Sequence, residues 1–275
     1  RKPIRDILDQ REAQGEFSWT LGLYPTPALA EQADMSVDQY ADQIVKACFL
    51  NRRDPVAQWQ AVYQRAVGLK GKLNRLAVVK LHVISPGCDL TITPGRQRRW
   101  IGLSGHNIPS FELFFSPDWR GTQGVFYADQ PSYRAGHRVE GVRLVFEKGR
   151  VSEASAQRGE KFLRKQLAMD PGASRVGEFS LTDRRFSKID RFMATTLYDE
   201  NFGGKQGNCH IALGSSYADA YAGDPGQLTP ALKKELGFNP SALHWDLVNT
   251  EPKTVTAHLE SGETLAIYAN GQFQL

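Results

Sequence analysis

The chain has 275 residues, with 34 Lys and Arg against 30 Asp and Glu and a formal net charge of +4. That length can bury a large core in one domain or two modest ones. The weak, scattered charge argues against a nucleic-acid footprint: "RQRR" (Arg96 to Arg99) and "DRRFSK" are short and lack the repeated interleaving of basic and aromatic residues of a single-strand binder. Three widely spaced cysteines, Cys48, Cys88 and Cys209, form no CxxC pair, which argues against a disulfide framework or a zinc knuckle and fits a reducing, cytoplasmic setting. No apolar run approaches the ~20 residues that span a bilayer, so no membrane partner is expected. The chain opens on Arg1 with no signal-like start, and the intact protein is expected to be longer.

In chain order, the first elements read as helices. Ser36 and Gln39 in "MSVDQYADQIVKACFL" form a capping-box pattern, with Val37, Tyr40, Ile44, Ala47 and Cys48 as the apolar stripe. The next helix starts with Asp54 as N-cap and Pro55 in the first turn, and its apolar residues are Val56, Trp59, Val62, Tyr63, Ala66 and Val67. From about residue 75 the texture changes to strands. "LAVVKLHVI" is apolar enough for a central strand, "DLTITPG" alternates, and "VRLVFEKGRVSEASA" predicts a hairpin turning at Lys148-Gly149. Helices interrupt at "RGEKFLRKQLAMD" and at "TPALKKELG", the latter with Thr229 as cap, Pro230 first and Gly237 as stop. Turn signals at Ser261-Gly262 and Asn270-Gly271 predict a small antiparallel meander at the end. The fold class is α+β: a helical N-terminal segment (36–74), then a mostly antiparallel, strand-rich part (75–275) with a few helices.

Several ionisable residues stand where the pattern predicts core. Alternate strand residues share a face. In "LHWDL" this puts Leu243, Trp245 and Leu247 on one side and His244 with Asp246 on the other, two ligand-type groups aimed at one point. In "CHIAL" the imidazole of His210 shares its face with Ala212 and Gly214, which leave room beside it. Glu112 in "IPSFELFFSP" and Glu178 in "RVGEFSL" have apolar settings, and Glu200 lies in the loop "YDENFGGK". An ionised carboxylate in such surroundings costs several kcal/mol unless something offsets it. Glu112, Glu178, Glu200 and Asp246 carry four negative charges, matching two divalent cations, and His210 and His244 complete a mixed oxygen and nitrogen ligand set. Each residue alone has a structural reading, and their long separations in the chain prove nothing by spacing. His82, His106, His137 and His258 read as structural or surface residues, and Trp59 and Trp245 as core.

In this order the stretches "GCDLTITPGRQRRW", "NIPSFELFFSP", "VEGVRLVFEKGRVSEASAQRGEKFL", "VGEFSL", "LYDENFGG", "HIALGSSY" and "ALHWDL" resemble the thermophilic-type metalloaminopeptidases, the aminopeptidase T and aminopeptidase S family (M29). The resemblance runs from about Tyr24 to the C-terminus. It implies a cytoplasmic, homodimeric exopeptidase acting on peptides through two divalent metal ions (zinc, cobalt, manganese or magnesium). It also implies that an N-terminal domain is absent here, so that residues 1–25 are its remnant or linker and 26–275 the catalytic domain. Carried over by position, the metal ligands are Glu112, Glu178, Glu200, His210, His244 and Asp246, and the catalytic residues are Glu178 and Tyr217. Glu178 is open to acting as base, as bridging ligand or as both. Two departures stand out: the family's N-x-P-D-G-E motif is here Asn107 to Glu112 ("NIPSFE"), and "GGKQGN" lengthens the loop between Glu200 and His210. Two rival readings remain, another two-metal hydrolase such as a phosphoesterase or amidohydrolase, and an inactive truncated module of the same fold.

Overall fold

The computed structural model describes residues 14–275, together with Ile4, Ile7, Leu8 and Arg11. Among the fully described elements, three capped helices come first. In α1 (Pro27–Gln32) the Thr26 side chain accepts from the Leu29 N–H. α2 (Val37–Ala47) has the expected capping box, with Ser36 Oγ accepting from Gln39 N at 3.2 Å and Gln39 Oε1 accepting from Ser36 N at 3.1 Å. α3 (Pro55–Arg75) starts on Asp54, whose Oδ1 accepts from Ala57 N at 2.9 Å. Its buried stripe is Val62, Ala66, Leu69 and Leu73, a spacing of one helix face. The expected stripe is only partly correct, because Val56, Tyr63 and Val67 are exposed. α3 carries apolar side chains on two faces, and the second does not touch the core. Val37, the first residue of α2, is exposed as well.

The strands follow as β1 (Val78–Ile84), β2 (Asp89–Ile92), β3 (Glu112–Phe115), β4 (Gln123–Ala128), β5 (Ser132–Arg134), β6 (His137–Val139), β7 (Val142–Glu147) and β8 (Arg150–Ser155). After α4 (Glu160–Leu167) come β9 (Val176–Thr182), the short α5 (Thr196–Asp199), β10 (Asn208–Gly214) and α6 (Pro230–Glu235). The chain ends on β11 (His244–Asn249), β12 (Thr254–Leu259), β13 (Thr264–Ala269) and β14 (Gln272–Phe273). Eight strands form one sheet in the order β14-β13-β12-β1-β2-β4-β7-β8, four form a second in the order β11-β10-β9-β3, and β5 pairs with β6. All pairings between these strands are antiparallel, so the α+β class holds. β1 is interior, between β12 and β2. The β7–β8 turn has Lys148 at φ 51° and Gly149 at φ 79°, and the β13–β14 turn has Asn270 at φ 54° and Gly271 at φ 74°. Such left-handed pairs are what a two-residue hairpin requires.

One hydrophobic core joins the two sheets. Leu81, Val83, Leu90, Phe126 and Leu144 of the larger sheet pack with Phe179, Leu181, Ile211, Leu213 and Leu247 of the smaller. Every residue of β9 and β10 is buried, on both faces. No described helix is long and apolar enough to cross a membrane. The three cysteines are free and buried.

β9 and β10 slip register once, Ala212 facing Glu178 and Leu213 facing Val176, so that Gly177 is the extra residue of a β-bulge. A bulge bends the strand and re-aims the adjacent side chain, which here is Glu178. A Cβ at Gly177 would stand 2.3 Å from the carbonyl oxygens of both Gly214 and Ser215. Gly177→Ala is therefore expected to destabilise the protein by about 1–3 kcal/mol, the usual cost of forcing atoms into a packed interior. The denaturant midpoint measures this, and an unshifted midpoint would mean that the bulge has room to relax.

Candidate metal centre

Residues paired across antiparallel strands share a face of the sheet. The registers place Glu178 and Asp246 on either side of Ala212, Ser180 and Val248 on either side of His210, and Glu112 beside Thr182. Glu112 (β3), Glu178 (β9), His210 (β10), and His244 with Asp246 (β11) thus lie on one face, opposite the core-facing Leu181, Ile211 and Leu247. The methyl group of Ala212 is the floor between the acids.

The side chains converge. His210 Nε2 lies 3.2 Å from Glu112 Oε2, 3.1 Å from Glu178 Oε1 and 3.9 Å from Asp246 Oδ1. His244 Nε2 lies 3.8 Å from Glu178 Oε2 and 3.6 Å from Asp246 Oδ1. The tightest group is Glu112, Glu178 and His210, with one ligand atom from each within 4.8 Å of the others. Glu200 follows α5 and reaches the cluster from a different direction. Its carbonyl accepts from Asn208 Nδ2 at 3.1 Å and from Thr182 Oγ1 at 3.3 Å, and its buried carboxylate interacts with Glu112, Asp246, His210 and Glu178. Tyr217, just after β10, stands at the rim, 43% exposed, its ring edge-on to His244 at 4.8 Å and to Phe114 at 5.8 Å. Its N–H donates to Ser116 Oγ at 2.8 Å.

Burial sets the electrostatics. It raises the Glu178 carboxyl to about 7, with Glu112's charge adding and the two histidines opposing. Burial, then Glu112 and Asp246, hold the Glu200 carboxyl well above its ordinary range. Burial alone would lower both imidazoles. Hydrogen bonding to Glu112 and Glu178 nevertheless holds His210 high, and Asp246 brings His244 to about 9. Asp246 is shifted downward, because the attraction of His244 overcomes its burial. The Tyr217 hydroxyl is raised by burial and by Glu178, so it stays protonated and able to donate.

The donor set fits divalent cations. Two positive imidazoles cannot balance four carboxylates; among the described residues the remaining compensation comes from the donors of Ser180 and Asn201, from Arg134, whose charge acts on Asp246, and from protons on the acids. His244 Nδ1 lies 3.0 Å from the Ser215 carbonyl, which can only accept, so this nitrogen carries the proton and Nε2 faces the acids. Such fixing of one ring nitrogen is how histidine is prepared for a metal. His210 differs, because its Nδ1 is buried without a partner and the polar contacts that orient the ring are those of Nε2 with Glu178 and Glu112.

All six ligand-type residues expected from the sequence, and Tyr217, meet at this place. The residues that support them were missed. Ser180 Oγ donates to Glu112 Oε2 at 2.9 Å. Its place two residues after Glu178 in "GEFSLT" was a legible sign of a shared face. Asn201 Oδ1 accepts from Phe111 N at 2.6 Å, a pairing between positions 90 residues apart that has no local sign. The other histidines stay outside: His82 pairs with Asp89 at 2.7 Å, His106 stacks on Trp19 and His137 on Phe162, and His258 sits on β12.

Residues 1–273 match the family model of the thermophilic metalloproteases, M29. The chain belongs to the M29 family. Among M29 relatives it is 30% identical to aminopeptidase T of Thermus thermophilus, over 95% of this chain and 67% of the relative. It is also 30% identical to aminopeptidase T of Thermus aquaticus, over 93% and 65%, and 27% identical to aminopeptidase PepS of Streptococcus thermophilus, over 93% and 62%. The structure of wild-type AmpT from Thermus thermophilus aligns with a TM-score of 0.74 at 26% identity, covering 94% of this chain and 65% of that one. The chain therefore spans about two thirds of the length of these relatives. A 2,5-dihydroxypyridine dioxygenase from Pseudomonas putida KT2440 aligns with a TM-score of 0.52 at 14% identity, over 92% of this chain and 70% of that one, a likeness of fold alone.

A pH dependence follows for the metal-free protein. Glu178 and His244 both bind protons more tightly folded than unfolded, so each contributes stability that is lost as pH rises. For Glu178 the window runs from the ordinary 4.5 to about 7, and for His244 from 6.5 to about 9. The Tm of metal-free protein is expected to fall between pH 5 and 9. Saturating divalent cation should remove that fall, because it takes the place of the protons. A metal-free Tm that rises across the window would contradict the assignment.

Proposed function

We propose that residues 26–275 form the catalytic domain of a metal-dependent aminopeptidase that removes the N-terminal residue from peptides at a dinuclear centre held by Glu112, Glu178, Glu200, His210, His244 and Asp246. The observation that carries this reading is the convergence of these side chains on one buried sheet face, with Tyr217 at its rim, in a chain similar to named aminopeptidases. Residues 1–25 are taken as the remnant or linker of an N-terminal domain of the family, and the protein as a cytoplasmic homodimer.

Bound there, divalent ions such as zinc, cobalt, manganese or magnesium would supply Lewis acidity and lower the pKa of a water towards neutrality. Glu178 is assigned as general base because its carboxylate sits in the middle of the ligand set, Oε1 3.1 Å from His210 Nε2 and Oε2 3.8 Å from His244 Nε2. It accepts the water's proton as the oxygen bonds to the peptide carbonyl carbon, and passes it to the leaving nitrogen as the C–N bond breaks. Tyr217 donates its hydroxyl hydrogen to the oxygen that gains charge in the tetrahedral state. An unblocked α-amine suits the acid-rich wall of Glu200 and Asp246, and a blocked terminus does not. Products are one amino acid and the shortened peptide.

Amino-acid p-nitroanilides assayed beside p-nitrophenyl phosphate separate this reading from a two-metal phosphoesterase. Turnover of the anilide alone is expected, and turnover of the phosphate ester alone would overturn it. Glu178→Gln is expected to abolish turnover while circular dichroism stays that of the parent; equal activity in variant and parent would remove Glu178 from its role. Tyr217→Phe should lower kcat by about 10²–10³-fold, the usual loss for one oxyanion donor, with metal content unchanged. An unaltered kcat would take Tyr217 out of the mechanism.

A further inference from the structure

Glu200 is the one acid of the cluster that no strand of the four-stranded sheet carries, so something else has to hold it in place. Its backbone is fixed, since Asn208 and Thr182 donate to its carbonyl. Its carboxylate is not fixed by these bonds and could still turn about its own side-chain torsions. The group that touches the carboxylate is the side chain of Asn201, which is fully buried.

The carboxamide of Asn201 has a partner on both sides. Oδ1 accepts from the N–H of Phe111 at 2.6 Å, and Nδ2 donates to the carbonyl of Leu197 at 3.1 Å and, at a longer 3.4 Å, to Glu200 Oε1. The Phe111 N–H fixes the orientation of the amide, because only the oxygen can face a donor. Phe111 immediately precedes Glu112, the first residue of β3, and Leu197 belongs to α5, which leads into Glu200. One side chain thus ties the strand that carries Glu112 to the turn that carries Glu200.

We propose that Asn201 is a positioning residue that sets the separation of the Glu200 and Glu112 carboxylates, and through it the affinity of the site for a second divalent cation. The residue type follows from what the position needs. An acceptor must point one way and two donors the other on a short stem: aspartate has no donor for Glu200, and glutamine is one methylene too long. A lysine would reach Glu200 too, but its charge would neutralise the acid and compete with the cation. The neutral amide donor steadies the ionised carboxylate and leaves its charge available. Loss of groups that orient metal ligands typically weakens metal affinity by about 10–100-fold.

This inference rests on the two-cation reading above, and the experiment separates the two. Zinc binding to the parent, Asn201→Ala and Asn201→Asp is measured by equilibrium dialysis with elemental analysis and by titration calorimetry, with circular dichroism and Tm recorded for each. The parent is expected to bind two ions. Both variants should retain the tighter ion with little change and bind the other about 10–100-fold more weakly. Asn201→Asp keeps an acceptor for the Phe111 N–H and sets a repelling oxygen against Glu200 and the Leu197 carbonyl, so it should weaken the second ion, and Asn201→Ala removes the same donor without adding an acid. A parent that binds fewer than two ions overturns the two-cation reading, and this inference with it. A parent that binds two, with a folded Asn201→Asp that binds both ions equally well at a lowered Tm, overturns the positioning role alone and leaves the two-cation reading intact.

Discussion

Four carboxyl groups on one buried side of a small sheet repel one another, and each is at least nine-tenths buried. Removing an ionised carboxylate from water costs several kcal/mol after relaxation, and the cost rises when the neighbours have the same sign. Histidine supplies only part of the compensation. His210 and His244 are drawn towards their charged forms by the acids around them, and Glu178 and Glu200 are pushed towards their neutral forms. Without cations the arrangement persists by holding protons and by the few donors that reach the acids, Ser180 and Asn201 among them. A pair of divalent cations would release those protons and convert a strained cluster into a coordinated one.

The fold makes this arrangement possible by separating the two faces of one sheet. One side of β3, β9, β10 and β11 carries Leu113, Leu181, Ile211 and Leu247 into the common core, where burial of apolar surface stabilises the sheet. That rigid support allows the other side to carry groups that would otherwise unfold it. Details within the sheet serve the same end: the bulge at Gly177 re-aims Glu178, Ala212 leaves its floor clear, and Ser180 holds one oxygen of Glu112. Only Glu200 arrives from outside the sheet, and its geometry depends on the hydrogen bonds of α5 and Asn201.

Much of the sheet face was legible because strand periodicity is a local signal. "LHWDL" assigns His244 and Asp246 to one side without knowledge of any partner strand, and "HIALG" does the same for His210 and Ala212. Hairpins at Lys148-Gly149 and Asn270-Gly271 were equally local, since the turn residues state their own backbone conformation. What escaped was non-local or too short to have a period. α5 has four residues, so only the family resemblance could raise Glu200 above a loop glutamate. The bond from Phe111 to Asn201 and the Gly177 bulge are products of register, which no single segment contains. On α3 periodicity was present but ambiguous: two apolar faces existed, and only tertiary packing chose between them.

The most direct measurement of the central claim is anomalous diffraction from crystals of this chain equilibrated with zinc, collected on both sides of the zinc absorption edge. The account predicts two peaks inside the cluster, touching carboxylate oxygens of Glu112, Glu178, Glu200 and Asp246 and the Nε2 atoms of His210 and His244. Peaks confined to the surface, with the six side chains still gathered and unmetallated, would contradict it.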